Sequence, residues 1–146
     1  MKPLAITIKR IDPALPLPGY HTAGAAAFDL YARKTTAVAP RALAKIPANL
    51  IIATPKGYVL TIAPRSSLAL KKGLLFPNGF GIIDNDYCGP GDEITIPVYN
   101  FTNRRTAVKR GERIAQGLLI PITKARWREI TAVKARNRGG FGSTGR

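Results

Sequence analysis

The sequence is poor in the residues that build disulfides, metal clusters and membrane-spanning segments. Its 146 residues include one cysteine, Cys88, and one histidine, His21. A single cysteine excludes an internal disulfide and a multi-cysteine metal cluster, and it fits a reducing compartment. No apolar run approaches the roughly 18 residues of a membrane span. We therefore expect a soluble, cytoplasmic protein that has no membrane segment.

Acidic residues are also scarce, and the chain is strongly basic. Against 23 Lys and Arg there are only 8 Asp and Glu, which gives a formal net charge of +15. Such a chain carries a positive field that attracts polyanions. Nucleic acid, nucleoside triphosphates and an acidic membrane surface fit that field equally well. Net charge alone therefore indicates that a partner is negatively charged, and it does not distinguish among these partners.

Prolines and glycines, 12 and 14 in number, interrupt nearly every window long enough for a helix. Short apolar or alternating runs predict strands over residues 4–9, 27–32, 50–54, 58–63, 79–83, 93–100 and 113–120. One helical turn is predicted over residues 66–72, capped by Ser66. This pattern is typical of an all-β sandwich, jelly roll or barrel. We divide the chain into a β-rich core, residues 1–125, and a C-terminal strand with a flexible glycine-rich arm, residues 126–146.

Two carboxylates and an aromatic ring stand at the end of the apolar run in residues 79–83. They are Asp84, Asp86 and Tyr87, in the kind of loop position where function is often placed. Beside apolar Ile83, Asp84 could be a general base with a tuned pKa. Asp-Asn-Asp is also ordinary β-turn chemistry, so both interpretations stay open here.

A phosphate could bind at the start of the predicted helix. Arg65, Ser66 and Ser67 bring a guanidinium, two hydroxyls and free backbone N–H groups to one point. A simple N-cap beside an exposed arginine explains the same residues.

The C-terminal arm could close over a nucleotide. It offers glycines, the cation Arg136, the flat ring of Phe141 and the hydroxyls of Ser143 and Thr144. A disordered basic terminus has the same composition.

Two polar residues lie inside apolar runs and need partners. Asp29 requires a buried arginine or a hydrated cation. Gln116 suits either a phosphate donor or a satisfied interior amide. His21 and Trp127 belong to no such pattern, and we interpret both as structural.

Taken in order, five segments resemble the five motifs of the trimeric dUTP diphosphatase (dUTPase) family. They are residues 26–32, 64–69, 81–100, 111–116 and 139–145. Their order and spacing make the resemblance specific over nearly the whole chain. It implies a jelly-roll-like distorted β-barrel and a homotrimer whose active sites are shared between subunits. The implied reaction is Mg²⁺-assisted hydrolysis of dUTP to dUMP and pyrophosphate.

The resemblance also implies a role for each matching residue. Asp84 would deprotonate the water that attacks the α-phosphorus, and Tyr87 would pack beneath the deoxyribose. The uracil edge would be read in a tight, hydrogen-bonded pocket by Asn78, Gly79, Ile82 and Ile83.

The phosphates would be held by Arg65, Ser66, Ser67 and Gln116. Mg²⁺ would be bound mainly by triphosphate oxygens and water, with Asp29 approaching through water. A lid would be formed by Arg136, Phe141, Ser143 and Thr144.

Three positions depart from the family pattern. Ser67 replaces a glycine, residues 89–92 lengthen the turn after Tyr87, and Asn137 replaces a glycine of the arm. Two other functions remain as alternatives. A dCTP deaminase shares the Arg-Ser-Ser segment but calls for a catalytic glutamate in the third motif. A basic nucleic-acid-binding module fits the charge but lacks an aromatic platform or recognition helix, so we expect at most weak, non-specific nucleic-acid binding.

Overall fold

The computed structural model describes residues 4–140, and its regular structure is almost entirely β. Within these residues a single short helix, α1 (Leu68–Lys72), lies between β6 and β7. The strands are β1 (Thr7–Arg10), β2 (Phe28–Tyr31), β3 (Thr36–Val38), β4 (Leu43–Pro47), β5 (Leu50–Ala53), β6 (Tyr58–Pro64), β7 (Leu74–Leu75), β8 (Gly81–Ile83), β9 (Thr95–Asn100), β10 (Thr106–Val108) and β11 (Arg113–Pro121). The all-β prediction with one short helix is confirmed.

The strands form small antiparallel sheets, ordered β1-β5, β10-β3, β4-β9-β7 and β2-β11-β6-β8. In the four-stranded sheet, the nine-residue strand β11 pairs with β2 on one side and β6 on the other. This sheet carries the chemistry: Asp29 lies on β2, Gln116 on β11, Arg65 directly after β6, and Asp84 directly after β8. The positions of these side chains therefore follow from the register of one sheet.

The core lies between the sheets and is aliphatic. Its fully buried side chains include Leu30, Leu60 and Ile96, each of which stabilises the fold by about 1.5–3 kcal/mol relative to exposure. Gly117 on β11 lies opposite Phe28 on β2. A Cβ atom at position 117 would lie 2.6 Å from the Phe28 ring. The lack of a side chain there lets the ring pack directly on the β11 backbone.

A partly buried ion pair joins Arg33, in the β2–β3 loop, to Glu93, just before β9. Arg33 donates two hydrogen bonds to Glu93, at 2.7 and 2.6 Å, and the backbone N–H of Asn49 donates a third at 2.9 Å. Burial opposes ionisation of Glu93, but these three donors and the arginine's charge outweigh it and hold the pKa of the carboxyl below its usual value. Asn49 has a φ of 68°, a left-handed conformation that asparagine adopts more readily than most residues.

The predicted start of the helix is wrong by two residues. The helix begins at Leu68, and Ser67 rather than Ser66 holds the N-cap position, without a side-chain capping hydrogen bond. The Leu68 N–H donates to the Arg65 carbonyl at 3.0 Å, so a backbone turn occupies a donor that a serine cap would satisfy. Gly73 ends the helix with a left-handed φ of 64°.

Four strands were not predicted: β3, β4, β7 and β10. Three of them have only two or three residues, and all four are stabilised by pairing with distant strands. The predicted C-terminal strand is absent from residues 126–140 of the single chain, because no strand lies beside this segment to pair with it. Across the described residues, no helix has the length and apolarity needed to cross a membrane.

Candidate active site

Asp29 is buried and surrounded by cationic side chains. Only 7% of the residue is exposed. Its Oδ2 atom lies 3.0 Å from Arg113 Nη1, and its Oδ1 atom lies 3.4 Å from Arg65 Nε. The imidazole Nε2 of His21 is also 3.0 Å from Oδ2. Of the two partners that the sequence left open for Asp29, the structure supplies arginine.

These residues line one open cavity of about 480 Å³. We call it the cradle, and its polar lining consists of His21, Asp29, Arg65, Ser66, Arg113 and Gln116. Two guanidiniums and one carboxylate give the lining a net charge of about +1 while the imidazole is neutral. The cradle therefore favours an anion, and its two guanidiniums suit phosphate oxygens.

Sheet register brings the cradle residues together. Gln116 lies opposite Asp29 in the β2–β11 pair, and the Arg65 N–H donates to the Ile114 carbonyl at 3.1 Å. The Gln116 side chain donates to the Pro64 carbonyl at 3.1 Å. An amide carries two N–H donors, so this bond satisfies Gln116 within the fold and leaves a donor for a ligand. Both interpretations of Gln116 are compatible with the structure.

The two serines lie on different cavities. Ser66 lines the cradle, whereas Ser67 lines an adjoining cavity of about 370 Å³ that also touches Arg65 and Arg113. Lys72 and Glu112 form an ion pair of 2.7 Å beside this second cavity. Burial opposes ionisation of Glu112, yet the hydrogen bonds from Lys72 and from the Lys109 N–H keep the pKa of the carboxyl below its usual value. Only Ser66 shares the cavity of Asp29 and Gln116.

Asp84 lies outside the cradle, in a turn after the edge strand β8. The Tyr87 N–H donates to the Asp84 carbonyl at 3.2 Å, so the predicted β-turn is present. The Asp84 side chain is exposed and lines a separate cavity of about 450 Å³, together with Tyr58 and two lysines, Lys56 and Lys124. A turn with an exposed, solvated carboxylate remains compatible with a catalytic base.

The residues expected to contact a nucleoside lie along the same edge. We call residues 78–87 the Asp84 segment. Gly79 has a φ of 73° in a turn closed by its N–H bond to the Phe76 carbonyl, at 3.1 Å. Ile82 is 61% and Tyr87 40% exposed, and Asn78 is exposed, while Ile83 packs against the core. Tyr87 donates its hydroxyl to the Glu93 carbonyl at 3.3 Å. In the single chain these residues form an open surface rather than a closed slot.

Within one chain, Asp84 lies far from the cradle. Ile83 pairs with Leu60 near one end of β6, and Arg65 follows the other end. Leu60 and Arg65 are five residues apart, a distance of about 17 Å along an extended strand. The structure thus brings Asp29, Arg65, Ser66 and Gln116 together, and leaves Asp84 and its neighbours apart. Arg136 is exposed in a segment without regular structure, and Phe141, Ser143 and Thr144 lie outside the described residues.

Two cradle residues were missed from the sequence. Arg113 lies three positions before Gln116, so a regular strand would place them on opposite faces. A register shift between Arg113 and Ala115 turns both toward the cradle, as β-bulges do. His21, interpreted from the sequence as structural, contacts Arg113 across 92 positions of chain. No local pattern could have revealed that contact.

The cradle does not fit a bare metal ion. Both oxygens of Asp29 are paired with cations, and the described residues hold no cluster of three or more His, Cys, Asp or Glu. A lining with net positive charge repels Mg²⁺ and attracts an anion that carries its own. Asp29 is therefore better suited to orienting the two guanidiniums.

Comparison with known proteins identifies the family. The model of the dUTPase family matches residues 14–145. The chain belongs to the dUTPase family. Two similar proteins are the deoxyuridine 5'-triphosphate nucleotidohydrolases of Dictyoglomus turgidum and Wolbachia pipientis. The first is 40% identical and covers 97% of this chain and 99% of its own length. The second is 39% identical, with 98% and 97% covered.

Solved structures of dUTPases confirm the jelly-roll-like β fold. The dUTPase of Streptococcus mutans superimposes with a TM-score of 0.76 at 30% identity, covering 82% of this chain and 98% of that one. A dUTPase of Staphylococcus bacteriophage 80alpha reaches a TM-score of 0.84 at 22% identity, where the likeness supports the fold alone.

Proposed function

We propose that the chain hydrolyses dUTP to dUMP and pyrophosphate as a homotrimer, in which each active site combines the cradle of one chain with the Asp84 segment of another. Family membership supports the reaction. The separation of about 17 Å along β6 between the level of Ile83, next to Asp84, and Arg65 supports the shared site. The cradle of one copy supplies the arginines that bind phosphate. The exposed Asp84 segment of another copy supplies the base and the nucleoside contacts.

The cradle binds the triphosphate. Arg65 and Arg113 take phosphate oxygens through guanidinium N–H groups, and Gln116 adds an amide donor. Ser66 directs its hydroxyl toward the oxygen that bridges the α- and β-phosphorus. Negative charge accumulates on that oxygen as its bond breaks, so a donor placed there stabilises the transition state more than the ground state. Ser67 lies on the adjoining cavity and contacts the phosphates through its backbone.

Asp84 acts as the general base. Its carboxylate accepts a proton from the water whose oxygen forms the new bond to the α-phosphorus, and pyrophosphate leaves with the electrons of the α–β bridge. Tyr87 packs beneath the deoxyribose, and its ring is held by the bond from its hydroxyl to the Glu93 carbonyl. The uracil edge is read by the segment's turn and strand, at Asn78, Gly79, Ile82 and Ile83.

Two components complete the proposal. Mg²⁺ would be bound by triphosphate oxygens and water, where it neutralises phosphate charge, while Asp29 holds the guanidiniums in place. The arm closes over the bound nucleotide with Arg136 and with Phe141, Ser143 and Thr144, the last three of which lie outside the described residues. Exposed free Cys88 supports the reducing cytoplasm as the location.

A comparison of nucleotides tests this function. Pyrophosphate release is measured with dUTP, dTTP, dCTP and UTP under the same conditions. We expect kcat/KM for dUTP to exceed the others by about 10³-fold or more, because unpaired polar groups in a hydrogen-bonded pocket reject analogues strongly. Equal rates with all four would contradict the proposal. Ammonia release from dCTP would instead indicate a deaminase, and tight, salt-dependent DNA binding without hydrolysis would indicate a nucleic-acid-binding module.

A further inference from the structure

His21 lies in the wall of the cradle and is the only histidine of the sequence. Its side chain is about half exposed, so the ring is not held there by burial in the core. Its Nε2 atom lies 2.8 Å from Arg113 Nη1 and 3.0 Å from Asp29 Oδ2. Since Arg113 and Asp29 are themselves 3.0 Å apart, the three side chains form a closed triangle.

The triangle fixes the direction of the Arg113 guanidinium. In either tautomer the imidazole makes one hydrogen bond within it, as an acceptor from Arg113 or as a donor to Asp29. Both His21 and Asp29 contact the same nitrogen, Nη1. The opposite edge of the guanidinium, Nη2 and Nε, therefore stays available for two phosphate oxygens.

Arg113 needs this support more than Arg65 does. Its side chain is 38% exposed, against 32% for Arg65, and it projects from the irregular part of β11 where the register shifts. A long side chain in that position loses rotamer freedom on binding an anion, which weakens binding unless the rotamer is fixed beforehand. His21 adds a second contact at Nη1, beside the one that Asp29 makes.

We propose that His21 is a positioning residue for the phosphate end of the substrate, acting through Arg113. This inference rests on the proposed function, because it takes the cradle as the triphosphate site. It predicts that His21 contributes to binding of the β- and γ-phosphates and contributes nothing to recognition of the nucleoside monophosphate.

Three variants test the role. His21→Leu removes the hydrogen bond of the imidazole at similar volume, His21→Gln keeps a side chain able to donate and accept, and Thr22→Ala changes an exposed residue of the same loop as a control. For His21→Leu we expect KM for dUTP to rise about 5- to 10-fold with kcat within about 2-fold of wild type, the pattern of lost binding that is equal in ground and transition state. His21→Gln should recover most of the loss, and Thr22→Ala should resemble wild type.

Product inhibition separates positioning from a general structural role. In His21→Leu, the inhibition constant of pyrophosphate should rise by the same factor as KM, while that of dUMP stays unchanged. As a second measurement, the single set of histidine ring signals in the NMR spectrum of the wild-type protein should shift at fixed pH when pyrophosphate is added, and should not shift with uridine.

The outcomes distinguish this inference from the function on which it rests. If the wild-type protein cleaves dUTP and His21→Leu keeps its KM, or weakens pyrophosphate and dUMP equally, His21 has no positioning role and the proposed function stands. If the wild-type protein does not cleave dUTP, the proposed function fails whatever the ring signals do.

Discussion

The cradle and the Asp84 segment differ in how complete they are in one chain. The cradle lies beside the β2–β11 pair, which holds a carboxylate and a guanidinium at 3.0 Å. The Asp84 segment contains the edge strand β8, and its Tyr87 and Ile82 are exposed. Under the proposed function, the phosphate-binding groups are organised by the fold of one chain, whereas the Asp84 segment is completed by a second copy.

The largest effect is expected from Asp84→Asn. The amide cannot accept the proton of the attacking water, so turnover should fall by about 10²- to 10⁴-fold. Binding of dUMP and the mass of the oligomer should stay unchanged, because the side chain is exposed. Pyrophosphate release and size-exclusion chromatography measure the two properties. Asp86→Asn, on the same turn and also exposed, is the matched control, and wild-type turnover in Asp84→Asn would remove this residue from the mechanism.

Mixing two inactive variants tests whether the regions come from different copies. Asp84→Asn lacks the base, and Arg65→Ala lacks a phosphate ligand. After joint unfolding and refolding, random assembly gives about a quarter of the sites both native residues, so activity should return to about that fraction of wild type. Each variant refolded alone is the control. Activity equal to the sum of the two variants would show that one chain builds its own site.

Replacing Asp29 tests whether this carboxylate orients the two guanidiniums of the cradle or acts through the metal ion. Asp29→Asn removes the charge that orients Arg65 and Arg113, and we expect KM for dUTP to rise about 10-fold. The Mg²⁺ concentration that gives half-maximal rate should be unchanged. Asp12→Asn breaks an exposed carboxylate–arginine pair of 2.6 Å with Arg110, outside the cradle, and serves as the control. A Mg²⁺ requirement raised about as much as KM would show that Asp29 acts through the metal.

The smallest effects on function should come from ion pairs that stabilise the fold and lie outside the cradle and the Asp84 segment. Glu93→Gln leaves Arg33 half-buried without its carboxylate and should lower the free energy of unfolding by about 1–3 kcal/mol, measured by urea denaturation. The exposed pair of Asp12 and Arg110 should contribute less to the free energy of unfolding, because solvent screens it. A Glu93→Gln effect no larger than that of Asp12→Asn would show that the partly buried pair adds little.

Low pH should remove the stability that the ion-paired glutamates contribute. The pKa values of Glu93 and Glu112 are lowered in the folded state, so folding is stabilised above their unfolded value of about 4.3 and loses this stabilisation as pH falls through the lower folded values. Unfolding free energy should therefore fall below about pH 4. That slope should be shallower in Glu93→Gln, and an identical slope would contradict the contribution of this carboxyl.

Strands with a local signal could be predicted, and those formed by pairing could not. Runs bounded by proline, glycine or asparagine gave β5, β6 and β11 almost to the residue. The three-residue strands β3 and β10 exist because they pair with each other across more than sixty positions. Such pairing leaves no periodic pattern in either segment, since neither is long enough to show one.

The candidate site shows the same division. The resemblance assigned Asp29, Arg65, Ser66 and Gln116 to the phosphate end of one site, and the four residues line one cavity. Arg113 was missed because a bulge, invisible in the sequence, turns it onto the face of Gln116. The helix start was misplaced because either serine suits a cap, and only the backbone turn after Arg65 decides between them.

The contact between Gly117 and Phe28 links the size of these two residues to the position of Asp29 in the cradle. Any side chain at 117 would push the ring of Phe28, which lies 2.6 Å from the position of a Cβ atom there, and the next residue after that ring is Asp29. We expect a larger residue at 117 to shift the β2 backbone beside Asp29, and with it the position of the carboxylate. Exchanging a large and a small side chain between positions 28 and 117 should therefore alter the electrostatic field around the phosphates without changing any ionic group.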